Sequence, residues 1–261
     1  AYAETPLERG SYLVNTIMTC GNCHSPKGPP AAVAGKDFSG GLRFNVPGAF
    51  DVTAPNITSD KESGIGTWSA DDIKKLLLTG VAKEGKPIAV MPTGFYNILL
   101  PSDLDAIVAY IQSLKPVSNK VPAPIYLVPI KQRIFPGAEK PIDPAALSDK
   151  VQRGFYLATI GHCMECHTPR EKGQLELSKI GAGGQQFPGP WGISVSRNIT
   201  SSKASGIGTW TNAEIRRAIT QGVDKDGKKL NPPMGFGYYA HMKDSDLDDL
   251  IAWLRTVPAQ D

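Results

Sequence analysis

The pattern Cys-x-x-Cys-His occurs twice in this chain, as Cys20-Gly21-Asn22-Cys23-His24 and as Cys163-Met164-Glu165-Cys166-His167, and it takes up all four cysteines. This spacing is the attachment pattern of a covalent heme c. One thiol adds to each of the two vinyl groups of the porphyrin, and the histidine that follows offers its imidazole to the iron. Other readings explain less. A redox dithiol needs the cysteines but gives no reason for a histidine after both pairs. A four-cysteine zinc site also leaves the histidines unexplained, and chance accounts for one motif more readily than for two. Cys20, Cys23, Cys163 and Cys166 are therefore read as heme-binding residues and His24 and His167 as iron ligands. The expected cofactors are two covalently attached hemes c.

The two motifs belong to an internal repeat. Asn56-Ile57-Thr58-Ser59 with Ser63-Gly64-Ile65-Gly66-Thr67-Trp68 returns as Asn198-Ile199-Thr200-Ser201 with Ser205-Gly206-Ile207-Gly208-Thr209-Trp210. Arg9-Gly10 returns as Arg153-Gly154, and Ser102-Asp103-Leu104-Asp105 as Ser245-Asp246-Leu247-Asp248. The reading is two domains, 1–116 and 149–261, with one heme each. Between them, residues 117–148 form a Pro-rich connector. Seven prolines from Pro116 to Pro144 forbid a long helix or a central strand there. Apolar Ile125, Tyr126, Leu127, Val128 and Ile130 are too many for a free tether, so an extended segment packed along the domain surfaces is expected.

Each half carries three helical signals in one order. The first, over 6–19 and 149–162, leads into the cysteine motif. The second opens on a capping box, Ser69-x-x-Asp72 or Thr211-x-x-Glu214, and ends at Gly80 or Gly222. The third is expected to start at Ser102 or Ser245, again as Ser-x-x-Asp. No strand alternation of useful length is visible, so the expected class is all-α.

A second axial ligand decides what such a heme can do. Met91 and Met234 each lie 71 residues after the first cysteine of their copy, in loops stiffened by proline. A thioether favours ferrous iron and raises the reduction potential. Met18, Met164 and Met242 lack counterparts and read as core residues. His162 and His241 face Thr19 and Ile98 in the other copy and read as surface or supporting residues. With histidine and methionine on both irons, no coordination position is open to substrate, which favours an electron carrier. The two Asn-Ile-Thr triplets match a glycosylation acceptor, but their duplication points to a structural loop over the heme.

Composition excludes other classes. The 261 residues are 41% hydrophobic with a net charge of +3, too small and too evenly mixed for a nucleic-acid partner. No apolar run is long enough for a membrane span. Heme is attached to such motifs outside the bacterial cytoplasm, so a periplasmic location is expected. The opening Ala1-Tyr2-Ala3-Glu4 reads as a mature or trimmed form.

The paired Cys-x-x-Cys-His motifs, the Asn-Ile-Thr-Ser loop ending in tryptophan and the late methionine resemble the periplasmic cytochrome c domains associated with bacterial alcohol and aldehyde dehydrogenases. The resemblance covers both halves but not the connector. It implies two tandem cytochrome c domains that relay electrons from a dehydrogenase toward a terminal oxidase or other acceptor, such as another cytochrome. Two domains without an anchor favour a soluble diheme carrier over a permanent subunit. The alternative is a diheme enzyme of the peroxidase or thiosulfate dehydrogenase type. The resemblance also implies that Trp68 and Trp210 donate their indole N–H to heme propionates and that Arg197 pairs with one. Gly10 with Tyr110, and Gly154 with Trp253, look like the small-against-aromatic contact between terminal helices.

Overall fold

The helices that begin at Pro6, Ala70, Lys150 and Asn212 start on side-chain caps in the computed structural model, which describes residues 4–27, 33–88, 90–129, 133–189 and 191–261. Contacts divide the chain into two units, 1–141 and 142–261. Ala1–Ala3 and Ile130, which the sequence reading used, lie outside the described residues.

In the first unit Thr5 caps α1 (Pro6–Tyr12) through a reciprocal box with Glu8. The helix then widens into a π turn over Leu13–Ile17, in which the Met18 N–H donates to the Leu13 carbonyl five residues back, at 2.8 Å. Sequence explains this turn. Eleven positions separate Arg9 from Cys20, but ten separate Arg153 from Cys163. The extra residue is absorbed as a π-bulge without changing where the helix delivers the cysteine. There follow α2 (Cys20–His24), α3 (Ala70–Thr79) and α4 (Pro101–Ser113). Strands β1 (Arg43–Val46) and β2 (Phe50–Thr53) form an antiparallel hairpin, and β3 (Ile125–Tyr126) pairs antiparallel with β2.

The second unit holds α5 (Lys150–Ile160), α6 (Cys163–His167), the two-residue strands β4 (Arg170–Glu171) and β5 (Gln174–Leu175), and the hairpin β6 (Gln186–Gly189) and β7 (Gly192–Val195). It closes with α7 (Asn212–Gln221), the short α8 (Phe236–Tyr239) and α9 (Asp244–Leu254). Regular structure is mostly helical, yet these hairpins depart from a purely helical expectation. Their strands are four residues or fewer, too short to show a period in sequence.

Both expected capping boxes of the second helix form, with left-handed Gly80 and Gly222 ending α3 and α7. The box expected at the third helix does not. The caps of α4 and α9 are Leu100 and Lys243, with no side-chain capping bond. The aspartates that would close it are engaged elsewhere: Asp105 pairs with Lys74 on α3 and Asp248 with Arg216 on α7, each at 2.5 Å.

The core of each unit is a crossed helix pair, α1 with α4 and α5 with α9. An added Cβ at Gly10 would stand 1.9 Å from the Ala106 carbonyl oxygen, and one at Gly154 would stand 2.0 Å from that of Asp249. The expected contacts are present, since those Cβ positions fall 2.8 Å from Tyr110 Cβ and 2.7 Å from Trp253 Cβ. One residue before each glycine an arginine clamps the opposite helix. Arg9 binds Asp103 through two bonds of 2.9 Å, and Arg153 binds Asp249 at 2.6 and 3.3 Å. Both carboxylates are buried, so removing the cation strands a charge. Arg9→Leu, which keeps the apolar stem, is expected to destabilise the first unit by about 2–4 kcal/mol. Thermal unfolding measures this, and an unchanged midpoint would remove the ion pair from the account.

The segment after α4 is held by the first unit as far as Pro141. Besides supplying β3, it donates from Phe135 N–H to the Gly94 carbonyl at 2.9 Å and stacks Phe135 on Phe95, centroids 4.6 Å apart. Its end, Pro144–Ser148, turns against α5, where Arg153 donates to the carbonyls of Leu147 and Ser148.

Candidate heme sites

Each cysteine motif is a single helical turn whose capping residue is left-handed: Thr19 at φ 48° and His162 at φ 45°. A β-branched or bulky residue there carries a local cost of about 1–2 kcal/mol. It breaks the direction of the incoming helix, so that a new turn starts at the first cysteine. The turn carries both cysteines and ends on the histidine. Burial pushes the Cys20 and Cys163 thiols up to about 12, and Cys23 also upward. A redox dithiol needs the opposite shift. Among the described residues no three His, Cys, Asp or Glu side chains gather into a metal-binding group.

The histidines are fixed in the form an iron ligand requires. His24 Nδ1 lies 2.8 Å from the Pro55 carbonyl oxygen and His167 Nδ1 lies 2.7 Å from that of Arg197. A carbonyl only accepts, so Nδ1 carries the proton and Nε2 keeps its lone pair for a metal. Burial lowers the pKa of both imidazoles, while the carbonyl bond acts the other way. The backbone is held as well: Gly40 N–H donates to the His24 carbonyl at 2.6 Å and Gly183 N–H to that of His167 at 2.7 Å. Sequence reasoning named Arg197 for its side chain only and missed this use of the backbone carbonyl at positions 55 and 197. Proline and arginine share it because only the carbonyl is used, and the one signal was its place just before Asn-Ile-Thr.

That triplet begins a tightly bonded loop. Asn56 is 1% exposed, which removes it as a glycosylation acceptor, and its Oδ1 accepts from Thr58 N–H and Oγ1–H at 2.9 and 2.7 Å. Asn198 and Thr200 repeat this at 2.9 and 2.6 Å. The Ser-Gly-Ile-Gly run needs its glycines, since a Cβ at Gly66 or Gly208 would fall 2.1 or 2.2 Å from a serine carbonyl oxygen. The loop ends at Trp68 and Trp210, both half-buried. Lys83 donates to the Thr67 carbonyl at 2.9 Å and Arg255 to that of Trp210 at 2.5 Å. Among the described residues neither indole N–H has an acceptor, which suits a donor to a carboxylate ligand. The Arg197 side chain is exposed and has no hydrogen-bond partner among the described residues.

Met91 and Met234 are half-buried, each just ahead of a short helical turn, 93–95 or 236–239. Each follows a turn that returns to the helix end: Ile88 N–H donates to the Gly80 carbonyl at 2.9 Å and Leu230 N–H to that of Gly222 at 2.7 Å. Met18 and Met164 are core residues, each 1% exposed, and Met242 is buried too. His241 lies at the surface. The Cys-x-x-Cys turn, the oriented imidazole and the unpaired indole donor, all present twice, are the donor set that a covalent heme requires.

A family model described as cytochrome c matches residues 7–115 and 151–258. The chain belongs to the cytochrome c family. It is a cytochrome of two domains and carries two hemes c. It is 31% identical over 92% of its length to a diheme cytochrome c-type protein of Cereibacter sphaeroides, covering 82% of that protein. To the gluconate 2-dehydrogenase cytochrome c subunit of Pantoea cypripedii it is 30% identical over 98% of its length, covering 60% of that subunit. An alcohol dehydrogenase (quinone) cytochrome c subunit of Gluconacetobacter polyoxogenes is 38% identical over 42% of the chain, which covers 22% of that subunit. The chain thus spans less than two thirds of the dehydrogenase subunits named here. No helix among the described residues is long and apolar enough to cross a membrane.

Proposed function

We propose that this cytochrome is a diheme electron carrier in the periplasm, taking electrons from a dehydrogenase and passing them to a terminal oxidase or another cytochrome. Several relatives are named as cytochrome subunits of dehydrogenases, which supports the donor. The carrying observation is duplication: each unit holds a neutral histidine on a carbonyl and a methionine 71 residues after its first cysteine. Cys20 with Cys23, and Cys163 with Cys166, hold the cofactors as thioethers. His24 and His167 would each supply one side-chain ligand to a heme iron, and Met91 and Met234 would each supply a second. Trp68, Trp210 and Arg197 bind propionates. Residues 117–148 connect the domains. Bound heme supplies a one-electron couple between ferric and ferrous iron. With a histidine and a methionine both on the iron, no place would be left for substrate, which favours an electron carrier over an enzyme.

Absorption spectra of the holoprotein, oxidised and reduced, test this. Both hemes are expected to be low-spin, to show the weak far-red band of methionine-ligated ferric heme and to ignore carbon monoxide. Met91→Ala and Met234→Ala should each open one heme per chain to the gas. Rapid binding at one heme of the unsubstituted protein would contradict the carrier reading and favour the diheme enzyme.

A further inference from the structure

The carbonyl that holds each heme histidine belongs to the residue just before an asparagine, and that asparagine ties the loop to the chain beyond the last helix of its unit. Asn56 Nδ2 donates to the Val117 carbonyl at 2.7 Å and to that of Asn119 at 3.3 Å. In return Val117 N–H donates to Thr58 Oγ1 at 3.2 Å and Asn119 N–H to Ser63 Oγ at 3.0 Å. Asn119 then reaches the opposite side. Its side-chain amide donates to the Ser39 carbonyl at 2.8 Å, and the next residue, Gly40, holds the His24 carbonyl. Residues 117–119 therefore grip both segments that touch His24, 39–40 and 55–56. The second unit repeats most of this arrangement. Asn198 Nδ2 donates to the Gln260 carbonyl at 2.6 Å beside Arg197, and Gln260 N–H donates back to Thr200 Oγ1 at 3.2 Å. The Gln260 side-chain amide reaches the Ser178 carbonyl at 3.2 Å, five residues before Gly183, whereas Asn119 grips the residue next to Gly40.

We propose that Asn56 and Asn119 are positioning residues for the first heme, forming a clamp by which the start of the connector holds the Pro55 carbonyl against His24 Nδ1. Asn198 positions Arg197 for the second heme. The inference rests on the reading of His24 and His167 as iron ligands. A carbonyl on Nδ1–H raises the basicity of the imidazole. A stronger donor favours the ferric state and lowers the reduction potential; a slackened clamp raises it. Because residues 117–119 open the connector, the first heme responds to how that connector is held, and the second does not.

The experiment is a potentiometric titration of the holoprotein and of Asn119→Ala, Asn56→Ser and Asn198→Ala, with the hemes assigned through Met91→Ala and Met234→Ala. Asn119 is half-buried in a loop, so its truncation leaves both helix pairs intact. Asn119→Ala and Asn56→Ser are expected to shift the first heme toward the reduced form by up to about tenfold, about 59 mV for one electron, with the second heme unmoved. Asn198→Ala should do the reverse. A lowered unfolding temperature with both potentials in place overturns the proposal, as does an equal shift of both hemes. If the unsubstituted protein lacks low-spin histidine-ligated heme, the ligand reading fails instead.

Discussion

Gly154→Val is expected to abolish the native packing of the second unit, a loss of about 4 kcal/mol or more, while the first unit keeps its own transition. The reason is a backbone contact. A Cβ at Gly154 would stand 2.0 Å from the Asp249 carbonyl oxygen and 2.7 Å from Trp253 Cβ, so no rotamer relieves it and α5 and α9 must part. Their separation also stretches the Arg153–Asp249 pair one residue away, which lies at 2.6 Å.

The sign makes the prediction discriminating. On an isolated helix, replacing glycine by alanine gains about 1 kcal/mol, so at Gly154 even alanine is expected to lose stability where propensity alone says it should gain. Gly237 in α8 is the control, because a Cβ there meets nothing within 4 Å. Gly237→Ala should be neutral or slightly stabilising. Urea unfolding of the holoprotein, followed at each heme, reads both variants. A stable Gly154→Ala chain would mean that the helices pass farther apart than described.

What sequence made legible was local or duplicated. The boxes at Ser69 and Thr211 and the stops at Gly80 and Gly222 are set by residues three or eleven positions apart, and the helices lie where those residues put them. The glycines at the helix crossings were visible through their repetition and the aromatic residues answering them. The failures involve partners distant in sequence. Ser102-x-x-Asp105 reads as a capping box until Lys74 is seen to claim Asp105. The β2–β3 pairing joins segments more than seventy residues apart through strands with no period of their own. The carbonyl on each histidine was hidden because backbone chemistry leaves its side chain free to be proline or arginine. The π turn was readable in principle from one extra residue between Arg9 and Cys20, but a count of positions does not say how a helix absorbs it.

Serine at both Cys20 and Cys23 is expected to halve the heme content to one per chain and to leave residues 1–141 open to protease, while 142–261 survives as a resistant fragment. The first unit leaves its heme-facing side to be closed by the cofactor. Its helix pair buries Leu13, Ile17, Leu104 and Ile107 nearly completely. Away from that pair, α3 buries only Ile73 and Leu77, and Met91 and Trp68 themselves are only half-buried. A cofactor bound only in the folded state adds its binding free energy to folding. Without the thioethers the left-handed cost at Thr19 and the neutral, desolvated His24 have no compensating ligand. The second unit has its own crossed pair and its own cysteines, so nothing in its core depends on the change. Heme stoichiometry, with limited proteolysis mapped by mass spectrometry, reads both parts of the prediction. Two hemes per chain would deny these cysteines their role, and a protease-resistant first unit with one heme lost would show that its core closes without the cofactor.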